Sequence, residues 1–155
     1  MVDTYAYCLM PNHFHLLIGV CEDLSGFQNL TGLTSHPSKN PAIKAFADFF
    51  NSYTKAINKR FNRKGNLFIR GFKKKPILSE QQWQETFLYI HFNPVKHGFV
   101  KNHPKWKWSS WHAYENPAQP CRLNREYYLN FFDDWEHVEN MIEMKKEGLM
   151  NRDLE

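Results

Sequence analysis

Two short apolar runs open the chain: residues 4–10, "TYAYCLM", and 13–20, "HFHLLIGV", separated by Pro11 and Asn12. Strand-forming residues on either side of two turn formers predict a β-hairpin over residues 4–20. Residues 21–40, with Ser25, Gly26, Gly32, Pro37 and Ser38, read as a loop. The period then changes. Phe46, Phe50, Tyr53, Ile57 and Phe61 recur at spacings of three and four, which predicts a long helix with one apolar stripe. Asn40 is its expected N-cap, Pro41 its first residue and Gly65 its stop. Lys44, Lys55, Lys59 and Arg63 lie off the stripe.

"NLFIRGFKKKPI", residues 66–77, alternates enough to predict a strand, with Gly71 at a bulge or close approach. Ser79 begins a second helix, because Ser79-x-x-Gln82 fits a capping box. Trp83, Phe87 and Ile90 form its buried stripe, and Pro94 predicts its end near Asn93. "KWKWSSWHAYENP" is aromatic-rich and irregular. Residues 125–148 predict one or two amphipathic helices. Strands mixed with long helices give an α+β fold.

Length and charge refine this picture. The 155 residues suffice for one domain with a real core. The net charge of +4 is modest but unevenly placed. No acidic residue lies between Asp48 and Glu80, while Lys55, Lys59, Arg60, Arg63, Lys64, Arg70, Lys73, Lys74 and Lys75 all do. Half of the 16 acidic residues fall between Asp133 and Glu155. A basic middle suggests a polyanion partner, although a solvated basic helix face explains the same charges. Cys8, Cys21 and Cys121 are odd in number and lack CxxC spacing, so they are expected as reduced thiols in a cytosolic protein. No apolar run approaches the roughly 18 residues of a membrane span, and no signal peptide is evident.

The chemistry lies in a few polar residues among apolar ones. Strand side chains alternate faces, so His13 and His15 project from one side, roughly 6–7 Å apart, with Phe14 between them facing the core. Two neutral imidazoles so placed can grip one divalent cation with a third ligand from elsewhere. Ordinary surface or hydrogen-bonded histidines satisfy the same pattern. On the second helix Tyr89 and Asn93 stand at i and i+4 and share a face. That face is roughly a third of a turn from the Trp83/Phe87/Ile90 stripe. A tyrosine at a core margin and an asparagine capping a helix end are the bland alternatives. Together, an amide oxygen one turn from a phenol offers a metal its third ligand beside a nucleophile.

"MPNHFHLLI", "FNSYTKAINKRFNRKGNLFIRGFKKKPI", "YIHFNPVKHGFV" and "WKWSSWHAY" resemble, in order, the blocks of tyrosine HUH transposases, nearest to the REP-associated and single-tyrosine insertion-sequence types. The resemblance covers residues 5–114. It implies a ferredoxin-like HUH domain over 1–115, with antiparallel sheet and packed helices, followed by a C-terminal helical extension over 116–155. It makes His13 and His15 metal ligands, Tyr89 the nucleophile, and Asn93 a polar partner of the metal where many relatives carry glutamine. The implied cofactor is Mg2+ or Mn2+ and the implied substrate single-stranded or hairpin DNA, cut through a 5′-phosphotyrosine and rejoined without ATP. A free tyrosine phenol ionises near pH 10, so a nearby cation or base must favour the phenolate. Arg63, Lys64, Arg70, Lys73, Lys74 and Lys75 are the candidates for holding phosphates. Phe68, Phe72, Trp106, Trp108 and Trp111 are candidates for stacking on unpaired bases, unless core packing employs them.

Members of the family ordinarily carry a strand and a helix ahead of "AYCLMPNH", so the resemblance implies a domain truncated at its N-terminus. A missing central strand is expected to leave strand edges and apolar helix surface unpartnered. Either the remaining strands close on each other or a second chain fills the gap, as in a homodimer. Two other functions remain open at this point: a non-catalytic hairpin-DNA or RNA binder derived from a transposase, and a metal hydrolase without a covalent step, which leaves Tyr89 and Asn93 unused.

Overall fold

β1 (Val2–Leu9) and β2 (Phe14–Val20) form the expected antiparallel hairpin in the computed structural model, which describes residues 2–20, 41–69 and 71–152. Cys8 pairs with His15 and Ala6 with Leu17, so these four share a face. The register slips between Thr4 and Ala6, leaving Tyr5 as a bulged residue that turns inward. Its ring lies so close over Gly19 that any Cβ there would collide with it. The expectation for Phe14 is corrected here. Leu17, on the His15 face, is the buried residue at 4% exposure, while half-buried Phe14 shares the opposite face with exposed Leu9, Leu16 and Val20. The reason is the helix α2 (Glu80–Lys96), which packs on the face that carries Ala6, Cys8 and Leu17.

The start of α2 follows its sequence signal. Ser79 Oγ accepts the Gln82 N–H at 3.2 Å and Gln82 Oε1 accepts the Leu78 N–H at 2.9 Å. Its end does not. The helix continues through Pro94 to Lys96: the proline forfeits the N–H bond to Ile90 O and crowds that carbonyl, a cost offset by the cap that closes the last turn on Pro94 O and Val95 O. Termination falls instead to Gly98 (φ +71), with Phe99 N–H bonded to Pro94 O and Gly98 N–H to Val95 O, the pattern of a Schellman cap.

Trp83, Phe87, Leu88 and Ile90 of α2 form one core with the hairpin face, with Trp111 and Tyr114 of the short helix α3 (Trp111–Glu115), and with Phe132, Val138 and Ile142. The last two belong to α4 (Trp135–Arg152), the single long helix of the C-terminal region. A 3-10 turn, Glu126–Asn130, precedes it. The outer edge of β1 is met by backbone from the C-terminal half. Leu9 N–H donates to Trp108 O, Ser110 N–H to Tyr7 O and Asn124 N–H to Thr4 O. The unpaired edge expected along the hairpin is therefore absent on this side, as buried backbone polar groups require. His91, fully buried and pushed down to about 3 by burial, sits 2.8 Å from Ser110 Oγ and ties α2 to this seam.

Residues 22–76 form a second unit. Its helix α1 (Pro41–Arg60) carries Phe46, Phe50, Tyr53 and Ile57 of the predicted stripe, the first three meeting Phe68 and Phe72 at ring separations of 5.0–6.1 Å, whereas Phe61 lies past the helix end and is exposed. The helix ends at Arg60 rather than Gly65, because Asn62 adopts the left-handed region (φ 49). Residues 66–77 are not a strand where described: Gly71 takes φ +76, which breaks the extended path, while Phe68 and Phe72 on either side of it pack onto α1. Gly71 has φ +76 with open space around it, so it serves a turn rather than a close approach. The expected N-cap Asn40 and the loop 21–40 lie outside the described residues. Among the described residues no helix is long and apolar enough to cross a membrane.

Candidate functional site

His15 is held by its strand pairing with Cys8, and His13 by the turn that precedes β2, where its carbonyl accepts the Met10 N–H at 2.8 Å. Their rings meet edge to face at 5.1 Å between centroids. Asn12 Oδ1 lies 2.7 Å from His13 Nδ1. His15 Nε2 is buried and has no hydrogen-bond partner. Burial, and then the neighbouring His13 and His97, lower the His15 pKa, so this ring is neutral and offers a free lone pair.

α2 brings Tyr89 to the same place, its ring 5.4 Å from that of His15. Lys96 sets its ammonium 4.9 Å above the Tyr89 ring, a cation–π contact from the last turn of the same helix. Asn93, one turn beyond Tyr89, is 0% exposed, and neither Oδ1 nor Nδ2 has a partner. Its backbone carbonyl accepts the His97 N–H, but its side chain caps nothing. An unsatisfied buried amide costs about 1–3 kcal/mol. Among the described residues no group of three or more His, Cys, Asp or Glu side chains is placed to hold a metal ion, so the donors to weigh for a cation are the two imidazoles and the unpartnered Asn93 amide oxygen. The chemistry of those donors fits: a neutral imidazole with an unengaged nitrogen and an amide oxygen without a donor.

The sequence pattern missed two residues of this cluster. His97 places its ring 5.5 Å from that of His13, and Lys96 covers Tyr89. The i, i+4 spacing that singles out Tyr89 and Asn93 extends to His97, a signal masked by Pro94, which reads as the helix end.

The basic candidates belong to the second unit. Arg63, Lys64, Lys73, Lys74 and Lys75 are all exposed, and Arg70 lies outside the described residues. Of the aromatic candidates, Phe68 and Phe72 pack on α1, and Trp111 is core, its ring 4.5 Å from that of Trp135. Trp106 is half-buried and Trp108 is exposed.

A Haemophilus influenzae protein provisionally named a REP-associated tyrosine transposase is 26% identical to this chain over 110 residues, 71% of the chain and 59% of that relative. The likeness supports a relationship to the transposase family. No family model and no solved structure matches the chain.

Proposed function

We propose that this chain is a transposase-type domain of ferredoxin-like HUH architecture that cuts and rejoins single-stranded DNA through Tyr89. What carries the proposal is the meeting of His15, whose Nε2 is buried without a partner, with Tyr89, one helical turn from the equally unpartnered Asn93 amide. Such groups reduce stability unless something binds them, and their lone pairs are those of a divalent-cation site. Similarity to the named transposase supports the same reading.

Tyr89 Oη attacks the scissile phosphorus, the bond from phosphorus to the 3′ oxygen breaks, and a 5′-phosphotyrosine and a free 3′-OH result. The phenol loses one proton and the departing oxygen gains one, so neither protons nor phosphodiester energy are consumed, and the reverse attack rejoins a strand. Lys96 places positive charge beside the ring, where the approaching phosphate must lie. His15 packs edge to face with the Tyr89 ring and restricts the directions from which the phenol can meet the strand. His13, His15 and Asn93 would hold Mg2+ or Mn2+. When bound, such an ion polarises the scissile phosphate and offsets charge in the transition state.

Incubation with labelled single-stranded hairpin DNA and Mn2+, followed by a denaturing gel, tests the proposal. A covalent adduct is expected. If binding occurs with no adduct under any metal, the non-catalytic nucleic-acid binder replaces this reading.

A further inference from the structure

Beyond His97 the chain turns through Gly98 and presents an aromatic surface that the cleavage chemistry leaves unused. Phe99 is 45% exposed and Trp108 53% exposed. Between them in sequence, half-buried Trp106 lies 5.6 Å from the Phe99 ring and donates its indole N–H to Leu9 O at 3.0 Å. Trp106 and Trp108 are two walls of a shallow, open groove of about 290 Å3 whose remaining lining is Leu9, Met10 and Pro11. The groove is thus built partly from the turn that carries His13. Ring contacts continue from Phe99 to His97 at 6.5 Å and from His97 to His13 at 5.5 Å.

The chain segment that bears this surface carries charge of one sign. Lys101, Lys105 and Lys107 are exposed, and among the described residues none of them is ion-paired. Lys107 sets its ammonium 4.8 Å above the Trp108 ring. From Thr86 to Tyr114 the sequence has no acidic residue. Flat apolar rings at this exposure mark a binding surface, and unopposed lysines around them select a polyanion. A duplex hides its base faces, so rings aimed outward are of use only to unpaired bases.

We infer that Phe99, Trp106 and Trp108, flanked by Lys101, Lys105 and Lys107, form a stacking platform for single-stranded DNA that leads the strand toward His13, His15 and Tyr89. A base settling on Trp108 displaces the Lys107 ammonium from the ring face, and the freed ammonium meets the adjoining phosphate. The choice of DNA rests on the function proposed above, while the stacking stands on the rings and lysines.

Binding of a fluorescein-labelled ten-base oligothymidine tests this by anisotropy, with the full chain carrying Tyr89→Phe and with EDTA present, so that neither cleavage nor metal enters. The single strand is expected to bind more tightly than a duplex of equal length. Adding Trp108→Ala should weaken it by about 5- to 150-fold, the loss of one stacked base. Trp108→Phe should restore most of the affinity, and Phe99→Ala should lower it in the same direction, with melting temperatures unchanged because both rings are exposed. Unchanged affinity in both alanine variants, or an equal loss for the duplex, would overturn the platform. An adduct formed by the Tyr89 protein together with unaltered binding by Trp108→Ala refutes the platform and leaves cleavage standing; stacking losses without any adduct do the reverse.

Discussion

The His15 and Tyr89 rings meet edge to face with centroids 5.4 Å apart, one from the second strand and one from the helix laid across it. Two elements far apart in sequence thereby bring an imidazole with an unengaged nitrogen to a phenol. The contact depends on the hairpin register, since a slip of one residue would carry His15 to the face that bears Leu16.

Metal binding should report this arrangement without any DNA. His15→Ala and Asn93→Ala are each expected to weaken Mn2+ binding measured by titration calorimetry by tenfold or more, roughly the effect of losing one ligand or its support. Equal Mn2+ affinity in the variants and the wild type would exclude these residues as ligands.

Asn93 also yields a stability prediction of opposite sign. Replacing the unpartnered amide by an apolar side chain branched at the same atom, Asn93→Leu, removes a buried polar cost of about 1–3 kcal/mol, less any strain from the larger side chain. The metal-free variant should melt several degrees higher while losing Mn2+ binding. A lower melting temperature would mean that the amide is satisfied in solution.

The hairpin, the capping box and the α1 stripe were legible because each rests on a short-range signal: alternation, a Ser/Gln pair, or recurrence at three and four. His13 and His15 stand out for the same reason. What lay hidden depended on tertiary partners. Phe14 and Leu17 are equally apolar, and only the position of α2 decides which is buried. Residues 66–77 alternate in sequence, yet Phe68 and Phe72 find more apolar contact on α1 than a lone ribbon could offer. Pro94 reads as a stop, but the helix runs on through it to a cap at Gly98, which closes the last turn. Lys96 and His97 gain their meaning only once the helix is seen to run past the proline.

Stability should fall on acidification through His103. Burial against Trp111, at 4.1 Å between rings, lowers this histidine to about 4, with Glu143 and Glu115 opposing the shift. Between about 4 and the unfolded value near 6.5, the unfolded chain binds a proton that the folded chain excludes. Its contribution is therefore complete above about pH 6.5 and is lost as pH falls toward 4, with a slope of at most about 1.4 kcal/mol per pH unit. Urea titrations from pH 4.5 to 7 should show a shallower dependence in His103→Phe than in the wild type. Identical slopes would remove His103 from the explanation.

The exposed lysines of the second unit should act through salt. Neutralising Lys73, Lys74 and Lys75 together should weaken binding to single strands of any sequence and reduce the dependence of log K on log salt by about 0.7 for each lost phosphate contact. A slope equal to that of the wild type would mark this run as solvated surface.

The most direct measurement is the identity of the residue bonded to DNA. The adduct formed with hairpin DNA and Mn2+ is digested with trypsin and nuclease, and the nucleotide-bearing peptide is sequenced by mass spectrometry. The tryptic fragment ending at Lys96 contains Tyr89 as its one tyrosine. The nucleotide should be found on that fragment, at Tyr89, and Tyr89→Phe should form no adduct while retaining DNA affinity. A nucleotide on any other residue, or an undiminished adduct in Tyr89→Phe, would contradict the proposed role of Tyr89.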